Sequence, residues 1–190
     1  MNDQAKVYIA CPNKGSINTY TMQWALEAFV QLAPNVRLDI SSCTAPLQQA
    51  RCIQREAFLA TLCTHMFLLD SGKIPQPYTI QKLLAHDKDI VAAPHPTRKG
   101  DEVGLMVLDR VGNEYMQHYP WTGLQGPNVV VGYGGMLIKR EVLEKVGPFF
   151  CRYDAVGFLT KTEDFDYCDR AHALGYEVWV DFDLIQVHYE

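Results

Sequence analysis

The chain has 190 residues, 48% of them hydrophobic and 21% charged, which is enough for one well-cored domain and short for two. A formal net charge of −5 speaks against a broad electrostatic surface for nucleic acid. No run approaches ~18 uninterrupted apolar residues and the start, "MNDQAKVYIACPN", lacks the regions of a signal peptide, so the expectation is one soluble, cytoplasmic domain over residues 1–190 with no transmembrane segment.

In chain order, "KVYIACP" is a short β-branched and aromatic strand ending at Pro12, and Asn13 to Ser16 is loop chemistry. "NTYTMQWALEAFVQLAP" predicts a helix capped at Asn18, with Tyr20, Trp24 and Ala28 on its buried stripe, widened by Met22, Leu26, Phe29 and Val30, and a stop at Pro34. "VRLDIS" alternates as a strand, and "APLQQARCIQREAFLATLC" returns to helical spacing through Leu47, Ala50, Ile53, Ala57 and Leu62. Next comes "HMFLLDSGKIP". Four apolar residues, Met66 to Leu69, fit a buried parallel strand that delivers Asp70 to its carboxyl end, where ligands bind in open α/β sheets.

Pro77 suits the first turn of a helix carrying Ile80, Leu83 and Leu84. "DIVAAPH" is a strand, "PTRKGDEVG" a polar loop, and "LMVLDRVGNEYMQHY" a strand pair turning near Gly112 and Asn113. "VVVGYGGMLIKREVLEKVGPFF" reads as strand, glycine turn, strand and a short helix closed by Gly147 and Pro148. "TEDFDYCDRAHALGY" is a helix stopped at Gly175, and "EVWVDFDLIQVHYE" is strand-like throughout. The alternation of strands and helices in the first half predicts a largely parallel sheet.

Several chemistries are excluded by spacing. In "SGK" the lysine is followed by Ile74 and Phe67 stands at the first glycine position, so no P-loop forms; in "GYGGML" Leu137 replaces the third glycine of a dinucleotide fingerprint. The six cysteines, Cys11, Cys43, Cys52, Cys63, Cys151 and Cys168, include no C-x-x-C pair and read as reduced thiols, and the histidines form no zinc-like cluster with them.

Taken together, "ARCIQREAFL", "FLLDSGKIP", "GYGGMLIKREVLEKVGPFF", "TEDFDYCDRAHALGYEVWVD" and "VHYE" resemble, in order and spacing from Val7 to His188, glycosyltransferases of the GT-A fold, family 2-like members of the nucleotide-diphospho-sugar transferase superfamily. The resemblance implies an α/β fold with a mostly parallel central sheet flanked by helices. It also implies transfer of a sugar from a nucleotide-diphosphate donor, a UDP-sugar above all, to an acceptor hydroxyl. Pro12, Arg51, Asp70, Lys73, Gly134 and Gly135 would line the donor site, Arg51 matching the family's "aRN" arginine and Asp70 the first acid of its D-x-D motif. Asp164, with Glu163 beside it, would be the base that takes the acceptor's proton.

At the second acid the sequence has Gly72, which offers no oxygen to the manganese or magnesium ion that the family uses. Metal binding through Asp70 and His188 is thereby weakened, and Lys73 is a cation able to neutralise a diphosphate without an ion. A nucleotide-sugar-binding module that has lost turnover is the alternative, and a nucleotidyltransferase a third. Each residue also has a structural reading. Thr162 with its two acids can simply cap a helix, Asp70 can form an Asx turn, and His188 can be an edge-strand histidine. Trp121, in "YPWTGLQGPN", either stacks on an acceptor sugar or pins its loop. Arg98 and Lys99 read as solvated loop cations.

Overall fold

A computed structural model describes residues 5–99, 102–112, 114–117 and 121–188. Its strands and helices, in chain order, are β1 (Val7–Ala10), α1 (Thr19–Leu32), β2 (Val36–Asp39), α2 (Leu47–Leu59), β3 (His65–Leu68), β4 (Lys73–Ile74), α3 (Thr79–Ala85), β5 (Ile90–Ala92), β6 (Pro96–Lys99), β7 (Glu102–Leu105) and β8 (Val107–Val111). There follow β9 (Glu114–Gln117), β10 (Leu124–Gln125), β11 (Val129–Val131), β12 (Met136–Lys139), α4 (Arg140–Val146), β13 (Arg152–Tyr153), β14 (Leu159–Lys161), α5 (Glu163–Ala173), β15 (Val178–Asp181), a 3-10 turn (Phe182–Leu184) and β16 (Val187–His188).

The central sheet has seven strands in the order β10-β15-β5-β12-β3-β1-β2. β1 pairs in parallel with β2 and β3, and β15 with β5, while β12 runs antiparallel between β3 and β5 and β10 antiparallel at the edge. Both faces are covered, so the inner strands are apolar through their length, with His65, Lys139 and Asp181 only at strand ends. Side chains alternate between two clusters: Tyr8, Met66, Leu68, Ile90, Ala92 and Met136 face Phe58 of α2, Leu143 of α4 and Tyr167 of α5. Val7, Ile9, Phe67, Val91 and Leu137 face Trp24 of α1 and Ile80 and Leu83 of α3. This is the α/β sheet, mostly parallel and flanked by helices, that the sequence predicts. No helix among the described residues is long and apolar enough to cross a membrane.

The local differences have identifiable causes. The polar loop expected at 96–104 contains a hairpin, β6 paired with β7, in which backbone hydrogen bonds need no apolar alternation. The turn between β8 and β9 is where it was expected, although Asn113 lies outside the described residues. Helix α3 begins at Thr79, after Tyr78 in the left-handed region at φ 60°, so Pro77 precedes the helix rather than sitting in its first turn. The strand expected to run on from Glu177 is broken by the 3-10 turn at Phe182, whose start is held by the Asp181 side chain accepting from the Asp183 N–H. β13 and β14 form a second unanticipated hairpin.

Two helix faces differ more. On α1 the buried residues are Thr21, Trp24, Ala25 and Ala28, and Tyr20, Leu26, Phe29 and Val30 are exposed. On α2 the buried residues are Ala50, Arg51, Gln54, Arg55 and Phe58, and Leu47, Ile53 and Leu62 are exposed or lie past the helix end. A helix that turns two arginines inward and leucine outward runs against the hydrophobic trend, and needs partners for each buried polar group. Arg55 donates Nε and Nη2 to the Leu143 carbonyl at 3.1 and 2.8 Å, and Gln54 donates to Ser41 Oγ at 3.1 Å. Arg51 Nη2 finds a hydrogen-bond partner at the site, whereas Arg51 Nε and Nη1 and Gln54 Oε1 are buried without one.

Candidate functional site

β1 and β3 are neighbours in register, Ala10 opposite Leu68, so Pro12 and Asp70, each two residues further on, leave the sheet side by side. Beyond Asp70 the chain turns at once, the Lys73 N–H donating back to the Asp70 carbonyl at 3.0 Å. Pro12, Asn13, Cys43, Leu47, Asp70 and Ser71 line a cleft of about 280 Å³ there, at the carboxyl ends of β1 to β3.

Arg51, only 1% exposed, reaches this edge from α2. Its Nη2 lies 2.7 Å from Asp70 Oδ1, its Nε 3.5 Å from Glu163 Oε1, and its guanidinium sits 4.3 Å from the centroid of the Tyr133 ring. One buried cation therefore joins the acid at the end of β3 to the first residue of α5. A charge this deep is tolerable only with such partners. Tyr133 in turn donates to the Glu163 carbonyl at 3.4 Å.

Asp164 follows in the first turn of α5. Burial raises its carboxyl above the ordinary carboxylate value, and the Glu163 charge adds to this. A hydrogen bond from Thr162 and the Phe165 N–H, which donates to Oδ1 at 2.9 Å, work the other way. Thr162 occupies the N-cap position but makes no side-chain bond to the helix backbone, so its hydroxyl serves Asp164 rather than the cap.

The other side of the Asp70 turn is built from β4, β5 and β16. β16 pairs antiparallel with β4, bringing His188 opposite Lys73, which is 4% exposed. The His95 ring, just past β5, stands 6.0 Å from the His188 ring at 74°. Burial first, then the Lys73 charge, pushes the His95 pKa down to about 4, and its Nδ1 is buried without a hydrogen-bond partner. Gly134, at φ +106°, could carry no side chain: a Cβ there would lie 2.6 Å from Asp70 Oδ2 and 3.1 Å from Lys73 Cγ. At Gly135 the corresponding space is filled by Gln186, whose Nε2 would be 2.0 Å from a Cβ and which donates to the Ala93 carbonyl at 2.6 Å.

The donor set does not suit a divalent cation. Gly72 supplies no carboxylate, Asp70 Oδ1 is engaged by Arg51, and among the described residues no group of three or more His, Cys, Asp or Glu side chains could hold a metal ion. Trp121 is half-buried against the apolar cluster that includes Tyr133 and Tyr167 and is not part of the cleft lining.

Arg51, Asp70, Glu163 and Asp164 thus stand together on one side of the turn and Lys73, Gly134 and His188 on the other. Tyr133, His95 and Gln186 were not foreseen. His95 carried a usable signal, since it closes a strand just as Asp70 does, whereas nothing in the sequence marks Gln186.

No family model matches the sequence, and no curated protein matches it. Solved structures do resemble it. A197 from STIV superposes over 97% of this chain and 86% of its own with a TM-score of 0.68 at 19% identity. GalNAc-T7, crystallised with UDP, GalNAc and Mn2+, superposes over 99% of this chain at a TM-score of 0.59 and 12% identity. This chain spans only 44% of that protein. Such distant likenesses speak to architecture, and the architecture is a GT-A-like α/β fold.

Proposed function

We propose that this chain is a glycosyltransferase that takes a sugar from a nucleotide-diphosphate donor, a UDP-sugar before others, and moves it to an acceptor hydroxyl. The observation that carries this reading is the buried Arg51 bridge, which ties the cleft acid Asp70 to Glu163 and so fixes the segment bearing Asp164 beside the cleft. The nucleoside enters between Pro12 and Leu47, and the diphosphate lies over the Asp70–Lys73 turn near Gly134. Asp164 takes the proton of the acceptor hydroxyl as its oxygen bonds to the anomeric carbon. The bond from that carbon to the diphosphate oxygen breaks, and the nucleoside diphosphate leaves with the electron pair. A carboxylate with a raised pKa is the better proton acceptor. Trp121 and the exposed hairpin of β13 and β14, which carries Tyr153, Phe158 and Leu159, are the surfaces offered to the acceptor.

Gly72 and the engagement of Asp70 by Arg51 favour one second reading, a nucleotide-sugar-binding module without turnover. Incubation with a panel of nucleotide sugars, followed by measurement of released nucleoside diphosphate and of thermal stability, separates the two. Release supports the transferase, and a raised melting temperature without release supports the module. Neither effect with any donor overturns both.

A further inference from the structure

We infer that this chain holds the donor diphosphate with Lys73, seated among Asp70, His95 and His188, in place of a bridging divalent metal. The inference rests on the donor reading above and concerns how that donor is held. Its starting point is the misfit between the residues present and a metal ion. Hard divalent cations collect oxygen ligands, yet the one acid of the turn already has Arg51 at 2.7 Å and the next acid position is Gly72.

What occupies the turn instead is nitrogen. Lys73 lies one residue beyond Gly72, and its stem shares a seat with Asp70: a single Cβ on Gly134 would press on Lys73 Cγ at 3.1 Å and on Asp70 Oδ2 at 2.6 Å. That glycine lets the lysine stem and the carboxylate pack together against the backbone of the turn. β16 sets His188 opposite Lys73, and His95 lies against His188 with a buried Nδ1 lacking a partner. Imidazole N–H groups donate to phosphate oxygens and need no charge to do so.

Electrostatics decide between the two kinds of guest. A doubly charged cation placed beside a nearly buried ammonium meets like charge where water screens poorly, whereas a diphosphate meets opposite charge in the same place. The lysine that would attract the phosphates is also the group that would repel the metal.

The test is calorimetric titration of the unaltered protein with UDP, GDP and dTDP, once in EDTA and once with manganese. The expected result is binding of at least one of these with the same affinity, within about twofold, in both conditions. Binding that appears only with manganese, or tightens about tenfold or more, overturns the inference and leaves the donor reading standing. No binding in either condition removes the donor reading, and the inference falls with it. Two variants sharpen the result. Lys73→Met should weaken binding in EDTA by about tenfold or more, the loss of one charge-assisted contact, with melting temperature as the check on folding. Gly72→Asp should make binding respond to manganese by restoring an oxygen ligand. An EDTA affinity unchanged in a folded Lys73→Met protein would also overturn the assignment.

Discussion

Asp70 and Asp164 are two aspartates at the ends of two different elements, and their surroundings have little in common. Asp70 leaves β3 with a buried guanidinium 2.7 Å from one oxygen and a glycine seat beneath the other. Asp164 sits in the first turn of α5 with a backbone N–H, a threonine and a neighbouring glutamate, and among the described residues no cation lies within ion-pairing distance of it. The first acid is neutralised and held, which suits a group that shapes a binding surface. The second is desolvated and left basic, which suits a group that must take a proton. The same side chain is bound directly by Arg51 in one place and feels its charge only at longer range in the other.

Removing that arginine should have the largest effect. Arg51→Met leaves Asp70 and the mostly buried Glu163 without their shared cation, and should cost about 3 kcal/mol of stability in denaturant titration, together with most of the melting-temperature rise given by a nucleoside diphosphate. A variant as stable as the parent would show that the bridge joins nothing of consequence. Next in size is Asp164→Asn, which should lower transfer roughly a hundredfold or more while donor affinity stays near normal. Transfer at the unaltered rate would remove Asp164 from the role of base.

The pH dependence sharpens the contrast further. Because the folded chain holds Asp164 protonated above its ordinary value of 3.8, the native state binds the proton more tightly than the unfolded one. Its contribution to stability is therefore present below that value and lost as pH rises through the raised folded pKa. Stability of the Asp164→Asn variant, followed by thermal melts from pH 3.5 upward, should gain on the parent from the ordinary value of 3.8 up to the raised folded one and hold a constant difference beyond it. Transfer by the parent should fall as pH drops through the same window. The smallest effect is expected at Thr162. Since its hydroxyl serves Asp164 and not the helix backbone, Thr162→Ala should cost only a few tenths of a kcal/mol, less than the ~1 kcal/mol of a true cap, and should move the acid limb of the rate profile to higher pH. A full kilocalorie with an unmoved limb would restore the capping role.

The strands were legible because parallel sheets buried on both faces write themselves as apolar runs: "VYIA", "MFLL" and "IVAA" need no tertiary information to be read. Asp70 was legible by position for the same reason. Helix α2 was not, because its apolar spacing through Leu47 and Ile53 describes the face left outside, and its buried face is chosen by Asp70, Glu163, Tyr133 and Leu143, which lie far away in sequence. Arg51 could be matched to a motif, but its near-complete burial and its bridging geometry are tertiary facts. The hairpins of β6–β7 and β13–β14 were missed because short antiparallel pairs are held by backbone bonds, to which side-chain periodicity is blind.

The pairing of β16 with β4 bears on how the protein is made. Gln76, just after the Asp70 turn, donates to the carbonyls of Asp183 and Ile185, 107 and 109 residues further along, and Lys73 pairs with His188 in the adjoining ladder. β1, α1, β2, α2 and β3 can associate as they emerge from the ribosome, and α1 already holds one side of the turn through Thr21 Oγ1 to the Lys73 carbonyl at 2.9 Å and Trp24 Nε1 to the Gln76 carbonyl at 3.1 Å. The other side of the turn lacks the bracing of Asp183 to His188 until that segment has been synthesised, on the order of ten seconds later at ordinary elongation rates. During that interval a nascent chain holds Asp70 and Lys73 without the ladder that sets His188 opposite Lys73. Closing so long a loop is slow and entropically costly, so the β4–β16 side of the Asp70 turn is completed well after the strands that precede it.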